Sequence, residues 1–383
     1  MAIIKSDFRK TIMFTITEAC NLNCLYCYEH NKTSKEMSKD LILKTIDSAL
    51  QDEATAMEFS FHGGEPFLKF NLMHDIAEYF WRKYNPENRY VFFATTNGTL
   101  LTENIKNWLS EHKEHFWCGL SFDGTKAMQN KNRSNSADNI DLDFFVKTWP
   151  TQQIKMTISQ ETLPNLAEGT IFLHKRGFNV HNNLAYGLDW NDNVHIRILS
   201  EQLEKLMDFY LENPDITPSS MLSMSVQWFS KDNNLKSQRI CGAGKQMKCF
   251  DTAGQEYPCH FFMDMNLGGN KSKASGMEML MSEDCLMDPF CKSCEIKLVC
   301  QTCYGYNFMA TGDPAKRDRN LCVLSKIQAV ACAIFALRRI KLDGKLIIKG
   351  DEIPIGNALH GIDCVLNNEF FINDERLKEF KLM

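Results

Sequence analysis

Three cysteines lie close together near the start of the chain, in the segment Cys20-Asn21-Leu22-Asn23-Cys24-Leu25-Tyr26-Cys27. Thiolates with this spacing in one short loop can converge on a single soft metal centre. Three ligands are one fewer than the four that close an ordinary zinc or iron–sulfur site, so one metal position is left for another ligand. The triplet therefore predicts an open metal cluster, with a zinc knuckle or a chance group of buried cysteines as the alternatives.

Composition limits the environment in which such a chain works. Its 383 residues are enough for two domains, or for one of barrel size with an appendage. Fifteen cysteines without a visible secretory signal indicate a reducing compartment and metal binding, not disulfides. The net charge of −5 gives no reason to expect nucleic acid or an anionic membrane as a partner, and the longest apolar run, 329–337, is too short to cross a bilayer. We therefore expect an oxygen-sensitive, cytoplasmic protein.

Strand-like and helix-like segments alternate through the first half of the chain. Residues 10–17 alternate and are rich in β-forming side chains, so the cysteine loop follows the end of a first strand. Further strands are predicted at 56–62, 89–95, 116–121, 153–158 and 179–184, and helices at 37–51, 71–84, 102–113, 139–149, 165–176 and 196–212. This order is typical of an α/β fold with a parallel sheet, and about six repeats predict a partial (β/α)6 barrel of the TIM type.

Polar motifs follow the ends of successive predicted strands. The motif Gly63-Gly64-Glu65-Pro66 follows the second strand, Asn97-Gly98 follows the third, and Ser121 ends the fourth. Parallel α/β folds place their active sites at this end of the strands, so we expect the motifs to meet the cysteine loop at one rim. Glycines allow close approach of a backbone, and a glutamate can accept a hydrogen bond from a protonated amine. Asn97 and Ser121 also suit plain turns.

The later part of the chain is rich in cysteine. One block contains Cys241, Cys249 and Cys259, and a second contains Cys291, Cys294, Cys300 and Cys303, with Cys322 after it. Two Cys-x-x-Cys pairs can form a zinc site, but the five residues between these pairs are fewer than a zinc ribbon normally uses. Cys118, Cys332 and Cys364 are expected in the core, whereas Cys285 is a candidate ligand or catalytic residue.

The cysteine triplet, with an aromatic residue before its last member, resembles the radical S-adenosylmethionine (SAM) superfamily. The resemblance implies that Cys20, Cys24 and Cys27 hold a [4Fe–4S] cluster whose open iron binds SAM. It also implies a set of SAM contacts, with the amino group at Glu65: Gly63, Gly64, Glu65, Pro66, Asn97, Ser121 and Arg133. The arginine would pair with the SAM carboxylate, with a solvated surface charge as the alternative.

The cysteine-rich region resembles the SPASM domain, a module of radical SAM enzymes that carries two auxiliary [4Fe–4S] clusters, which makes three clusters in all. By that resemblance one auxiliary cluster is held by Cys241, Cys249, Cys259 and Cys303, and the other by Cys291, Cys294, Cys300 and Cys322. The family usually has three residues between the cysteines that match Cys300 and Cys303, whereas this chain has two, which leaves their division between the clusters open. The implied domains are a radical SAM barrel at 1–195, a connection at 196–240, a SPASM domain at 241–340 and an extension at 341–383.

The resemblance implies an oxidoreductase that cleaves SAM to a 5′-deoxyadenosyl radical, which abstracts hydrogen from a peptide or protein substrate. A flavodoxin- or ferredoxin-type protein would supply the electron. A non-catalytic iron–sulfur electron carrier or a zinc scaffold is the alternative outside the enzymes. Among the enzymes, the alternatives are an anaerobic sulfatase-maturating enzyme, which oxidises Cys or Ser to formylglycine, and a maturase that cross-links a ribosomally made peptide.

Two departures separate this chain from the sulfatase-maturating pattern. The aspartate base that follows the third cysteine of the first auxiliary block is His260 here, and the glutamine before the glycine motif is His62. A histidine can still take a proton near neutral pH, and Asp264 is another candidate base. Because both departures occur in cross-linking relatives, we favour a thioether or carbon–carbon cross-link within the peptide.

Substrate recognition is expected in one of three regions: the SPASM region, the connection at 185–240 or a C-terminal hairpin predicted at 346–355. An exposed strand edge there could pair with an extended peptide. The chain is expected to end in a charged helix.

Overall fold

The structure is a computed structural model that describes residues 10–51, 56–84, 90–190, 192–230, 232, 241–269, 273–282, 286–348 and 350–367. The chain forms two compact units. The first unit comprises residues 1–122, 129–154 and 241–283, and the second comprises 123–128, 155–240 and 284–383.

The secondary structure alternates in the order expected for an α/β fold. In chain order the strands are β1 Lys10–Thr17, β2 Met57–Gly63, β3 Tyr90–Thr96, β4 Phe116–Leu120, β5 Gln153–Ile158, β6 Asn179–Leu184, β7 Met247–Phe250, β8 Glu256–Tyr257, β9 Leu346–Ile348 and β10 Asp351–Ile353. The helices are α1 Lys39–Ala49, α2 Phe70–Lys83, α3 Glu103–Glu111, α4 Lys126–Asn132, α5 Leu142–Thr148, α6 Leu166–Lys175, α7 Asn193–Glu212, α8 Asp264–Leu267, α9 Lys273–Ser282, α10 Tyr304–Thr311, α11 Arg319–Asp343 and α12 Ile355–Leu366.

The first unit is built on a six-stranded sheet with the order β4-β3-β2-β1-β7-β8. Strands β1 to β4 and β7 run parallel, and β8 is antiparallel to β7. Strands of parallel sheets are usually buried on both faces, which is why β2 is buried at almost every position. The ring of Phe61 stacks on those of Phe92 and Phe116, with centroids 5.7 and 6.0 Å away, so aromatic side chains from three strands pack together.

The register aligns the carboxyl ends of β1 to β4. Thr17 at the end of β1 is paired with Gly63 at the end of β2, and Thr96 is paired with Leu120 across β3 and β4. The segments that follow these strands therefore leave the sheet at one edge. They are the cysteine loop, the glycine motif, the Asn-Gly turn and Ser121, so the shared rim predicted from the strand order is present.

The α/β fold with a parallel sheet is confirmed. Every strand and helix predicted within residues 10–212 is present, with ends within three residues of those predicted. Two features differ from the expectation. Strands β5 and β6 pair with each other in a separate two-stranded sheet. The polar stretch after Ser121 contains α4, which the sequence did not indicate because this helix has little apolar surface to create a periodic pattern.

Residues 241–269 belong to the first unit. Strand β7 extends the sheet beside β1, so Cys249 is paired with Met13. The backbone N–H of Asn31 donates to the carbonyl of Met265 at 3.0 Å, which joins the segment after Cys27 to the cysteine-rich segment. Residues 241–269 therefore form one compact unit with the sheet. The domain bounds predicted from the sequence, with a SPASM domain at 241–340, stay a prediction.

The second unit contains the long helix α11. It is paired with α7 through Arg338 and Glu204, whose side chains approach to 2.7 Å. By length and hydropathy α11 could cross a bilayer, but 67% of its most apolar window is buried inside the protein, which is typical of a core helix. The predicted hairpin is present as antiparallel β9 and β10. Helix α12 was not predicted, and the charged helix expected at the end of the chain lies outside the described residues.

Helix α12 packs closely on the turn Val226–Trp228, and Gly361 makes this approach feasible. A Cβ at Gly361 would lie 1.8 Å from the carbonyl oxygen of Val226. We expect Gly361→Ala to destabilise the second unit by about 1–3 kcal/mol, because an atom is forced into filled space. The measurement is the shift in the denaturant midpoint of the full chain. Gly356→Ala is the matched control in the same helix, because nothing lies within 4 Å of its added Cβ. An equal shift for the two variants would contradict this packing.

Candidate active site at the cysteine loop

Two glycines at the end of β2 support the start of the cysteine loop. A Cβ at Gly63 would lie 2.0 Å from the carbonyl oxygen of Thr17, and one at Gly64 would lie 2.2 Å from that of Ala19. The N–H of Gly64 donates to Thr17 at 3.0 Å, and the N–H of Glu65 donates to Ala19 at 2.9 Å. Only glycine permits so close an approach, and Gly63 also has a positive φ of 132°. The glycine motif therefore fixes the chain just before Cys20.

The end of α4 and the residues that follow it support the loop from another side. The N–H of Leu25 donates to the carbonyl of Asn132 at 2.9 Å, and the N–H of Asn23 donates to the hydroxyl of Ser134 at the same distance. Between them, the Arg133 guanidinium lies 5.5 Å from the centre of the Tyr26 ring. Arg133 is only 8% exposed, so it is not a solvated surface charge, and its contact with the SAM carboxylate stays a prediction.

Glu65 is almost completely buried at the centre of the rim. Its carboxylate accepts hydrogen bonds from the Thr96 hydroxyl at 2.7 Å, the Asn97 N–H at 2.8 Å and the Phe67 N–H at 3.1 Å. Burial raises the pKa of the Glu65 carboxyl to about 7, although these hydrogen bonds and the nearby charge of Arg133 act in the opposite direction. A buried carboxylate of this kind gains from a cationic partner such as an ammonium group.

The side chain of Asn97 ties the Asn-Gly turn to the cysteine loop. Its Nδ2 donates to the side-chain Oδ1 of Asn21 at 2.9 Å, and its Oδ1 accepts from the Thr99 hydroxyl at 2.7 Å. The Asn21 amide in turn donates to Thr99 at 2.8 Å. Ser121 is buried, and its N–H donates to the carbonyl of Thr96. Both residues therefore have structural roles at the rim, and their contacts with SAM stay a prediction.

The three loop cysteines are half-buried, and one of them has a basic neighbour. The Lys32 ammonium donates to the sulfur of Cys27 at 3.0 Å. Burial lowers the pKa of Lys32, but the hydrogen bond and charge of Cys27 outweigh this and raise it above its ordinary value. Burial raises the pKa of the Cys20 thiol to about 11, so metal binding at this thiol displaces a proton.

Four cysteines come together in the second unit. Cys291, Cys294, Cys300 and Cys322 line a cavity of about 40 Å³. They are the residues of the second auxiliary set, and their ligation of a cluster stays a prediction. Burial, with the neighbouring thiols, raises the pKa of Cys291 to about 12. Arg317 lines the same cavity and supplies a positive charge beside these thiols. Grouped buried thiols of this kind suit a centre that takes them as thiolates.

The other auxiliary set is divided between the units. Cys241, Cys249 and Cys259 belong to the first unit, and Cys249 lies 3.8 Å from the Met13 sulfur. Cys303 belongs to the second unit, where its sulfur accepts the N–H of Tyr306 at the start of α10. The common ligation of these four cysteines stays a prediction.

Four cysteines belong to none of the predicted ligand sets. Cys118, Cys332 and Cys364 are buried, as expected for core residues, and Cys285 lies outside the described residues. Within the described ranges, no group of three or more His, Cys, Asp or Glu side chains is spaced to hold a single metal ion.

Two histidines meet next to the cysteine loop. The rings of His62 and His260 lie with centroids 5.0 Å apart, and Nε2 of His260 is 3.2 Å from the Tyr28 hydroxyl. The Glu29 carboxylate lies 4.0 Å from Nδ1 of His62. We missed Tyr28 and Glu29 in the sequence, although their position directly after Cys27 was a usable signal. Asp264 begins α8, and its backbone carbonyl accepts the Asn31 side chain at 3.3 Å.

Comparisons with known proteins agree with this geometry. Residues 14–136 match the Radical SAM superfamily. An uncharacterized protein of Methanocaldococcus jannaschii is 29% identical over 173 residues, which are 44% of this chain and 59% of that protein. A serine-type anaerobic sulfatase-maturating enzyme of Bacteroides thetaiotaomicron is 32% identical over 125 residues, which are 30% of each chain. The aligned regions thus span less than two thirds of these relatives.

Solved structures extend the likeness in fold to most of the chain. The structure of anSMEcpe with bound AdoMet has a TM-score of 0.65 at 19% identity, over 92% of this chain and 98% of that one. SuiB of Streptococcus suis, bound to its precursor peptide SuiA, has a TM-score of 0.56 at 14% identity, over 82% of this chain and 76% of that one.

The aligned rim and the sequence match define residues 14–136 as a radical SAM domain. The chain therefore contains a radical SAM domain and a cysteine-rich C-terminal region, in a fold similar to those of anSMEcpe and SuiB.

The raised pKa of Glu65 predicts a pH dependence of SAM binding. The ionised carboxylate is the form that accepts an ammonium group, so binding below pH 7 has to expel a proton. We expect the affinity for SAM, measured by anaerobic calorimetry, to rise as pH increases from 5.5 towards about 7. Glu65→Gln should weaken binding by about tenfold or more and remove this dependence, with iron content unchanged. A pH-independent affinity in the unaltered protein would contradict the role of Glu65.

The hydrogen bond from Lys32 predicts an effect on the loop cluster. A positive donor at a ligand sulfur stabilises the reduced, more negative cluster. We expect Lys32→Met to make the midpoint potential of this cluster more negative in EPR-monitored titration. Lys35→Met, an exposed charge on the same segment, is the control and should leave the potential unchanged. Equal potentials for the two variants would show that Lys32 has no such influence.

Proposed function

We propose that this protein is a radical SAM peptide maturase that forms an intramolecular cross-link, a thioether or a carbon–carbon bond, in a ribosomally made peptide. The observation that carries the proposal is the pair His62 and His260, whose rings lie 5.0 Å apart beside the cysteine loop. These are the two positions at which the sequence departs from the sulfatase-maturating pattern. Because the two histidines lie together, the two departures from that pattern change the same part of the candidate active site.

The loop residues Cys20, Cys24 and Cys27 would hold a [4Fe–4S] cluster. When bound there, the cluster supplies the electron that cleaves SAM to methionine and a 5′-deoxyadenosyl radical. Glu65 takes the SAM amino group and Arg133 its carboxylate, because both are buried at the rim and carry the complementary charges. The glycines of the motif hold the loop against this pocket.

Cross-linking removes two hydrogens from the peptide, so a base and an electron acceptor are needed. One hydrogen leaves as an atom to form 5′-deoxyadenosine, and the second leaves as a proton with an electron. His260 receives the proton, supported by the Tyr28 hydroxyl, and Asp264 is the second candidate for this role. Cys291, Cys294, Cys300 and Cys322, which line one cavity, would hold one of two auxiliary [4Fe–4S] clusters, for a total of three, and these clusters would supply the acceptor for the electron.

The partners follow from this chemistry. The substrate is a precursor peptide, and the solved complex of SuiB with a precursor peptide supports a peptide substrate for this fold. A flavodoxin- or ferredoxin-type protein supplies low-potential electrons, and neither nucleic acid nor a membrane is a partner. We locate the enzyme in the cytoplasm, because fifteen cysteines require a reducing compartment.

Formylglycine formation in a sulfatase is the second candidate. It is favoured by the sequence match to a serine-type anaerobic sulfatase-maturating enzyme and by the fold likeness to anSMEcpe. A histidine at 260 can replace the aspartate base of that reaction. An electron carrier is less well supported, because it has no need for the glycine motif or for a buried carboxylate at an open cluster.

Replacement of Cys20, Cys24 and Cys27 by Ala should remove one cluster and all SAM cleavage. Iron content after anaerobic reconstitution should fall from about twelve to about eight per chain, because each cluster contains four irons. Formation of 5′-deoxyadenosine with dithionite is the second readout. Cys118→Ala is the control, because this cysteine is buried in β4 and should keep all the iron. Continued 5′-deoxyadenosine formation by the triple variant would sink the assignment.

Mass spectrometry of the product separates the two candidate reactions. Any short precursor peptide or sulfatase encoded beside this chain is tested as the substrate. A cross-link gives a loss of two hydrogens, a gap in fragmentation between the joined residues and no aldehyde. A product that reacts with hydrazine at a former Cys or Ser means formylglycine, and the cross-linking proposal is then wrong.

A further inference from the structure

The second unit contains a groove of about 330 Å³ beside the hairpin of β9 and β10. We refer to it as the hairpin groove. Its lining comes from the end of β6, the stretch 220–227, the segment 298–301, α11 and the hairpin. The sequence predicts substrate recognition in the SPASM region, the 185–240 connection or the C-terminal hairpin, and all three contribute to this one groove.

The lining of the hairpin groove is mostly uncharged. Amide, hydroxyl and apolar side chains alternate, and the charged residues among the described lining are Arg317 and Asp351. The guanidinium of Arg317 already donates to the Gln301 carbonyl at 3.4 Å and to the Ser325 hydroxyl at 3.1 Å. A phosphate or a nucleotide would meet a single guanidinium here, which is already engaged. Neutral amides and hydroxyls instead complement a peptide backbone, which offers one donor and one acceptor per residue.

The hairpin itself offers a strand edge. It has only two strands, so alternate residues of each strand turn their backbone N–H and C=O groups away from the partner strand. Asp351 and Ile353, two residues apart on β10, line the groove, whereas Glu352 between them does not. Trp228, directly after the groove residue Gln227, is 55% exposed, and an exposed tryptophan is a frequent anchor for a partner.

We propose that the hairpin groove binds an extended, uncharged segment of the peptide substrate, which pairs with the edge of the hairpin. Alternate side chains of the peptide enter the groove, and the others face solvent. The groove is large enough for the side chains of a short stretch, at the lower end of the usual size for ligand pockets. The identity of the occupant as substrate rests on the proposed function, but the binding site itself does not.

The test uses a matched pair of variants on one strand. Asp351→Trp blocks the groove, and Glu352→Trp adds the same bulk and removes the same charge on the other face of β10. A displayed library of random peptides is selected on the full unaltered chain, and enriched peptides are resynthesised and measured by fluorescence anisotropy. We expect Asp351→Trp to weaken their binding by roughly tenfold or more and Glu352→Trp to change it little.

A second probe tests strand pairing directly. Each backbone nitrogen of an enriched peptide is methylated in turn. Pairing with the hairpin edge predicts an alternating pattern, in which every second methyl group abolishes binding and the others are tolerated. Three results overturn the proposal. They are an effect of methylation that does not alternate along the peptide, the absence of enriched peptides, and equal peptide affinity for the two tryptophan variants.

Other occupants of the groove give distinct results. A synthetic peptide of residues 368–383 that binds the full chain and is lost in Asp351→Trp would make the chain's own end the occupant. If the unaltered protein sediments as a dimer and only Asp351→Trp dissociates this dimer, the occupant of the groove is a second copy of the chain. Either result overturns the proposal. Formation of 5′-deoxyadenosine without peptide is measured on the unaltered chain and on both tryptophan variants, and this separates the two claims. If none of the three forms it, the proposed function fails. The dependence of peptide binding on the methylated position still decides whether the groove binds a peptide.

Discussion

The site depends on the close approach of the ends of β1 and β2. Gly63 and Gly64 lie directly against the carbonyl groups of Thr17 and Ala19, and no other residue type would leave room for this contact. The approach places the cysteine loop beside the buried carboxylate of Glu65. A side chain at either glycine would move the loop and the carboxylate apart, so the backbone decides the relative positions of the cysteine loop and Glu65.

The same arrangement places two charged side chains, Glu65 and Arg133, near the cysteine loop. The Glu65 carboxylate is buried with three protein donors, and Arg133 lies at the loop near the Tyr26 ring. A zwitterionic amino acid group would satisfy both charges at once, because it carries an ammonium and a carboxylate. Such a group is what the SAM-binding roles predicted for Glu65 and Arg133 require.

Much of the fold could be predicted from sequence because the βαβ pattern is regular through residue 212, and strand order alone predicted the shared rim. The position of Cys249 could not, since pairing of β7 with β1 joins residues that are more than two hundred positions apart. Helix α4 was missed because it lacks an apolar stripe. The meeting of His62 with His260 was also invisible, because the two residues were singled out for separate reasons and only the folded chain brings their rings together.

The central claim is that the cysteine loop holds a cluster whose open iron takes the amino group of SAM beside Glu65. Electron–nuclear double resonance of the reduced full-length protein tests it most directly, with SAM carrying nitrogen-15 in its amino group. The account predicts a nitrogen coupling at the loop cluster that disappears in the Cys20, Cys24 and Cys27 triple variant. A reduced cluster at this loop that binds SAM without any such coupling would contradict it.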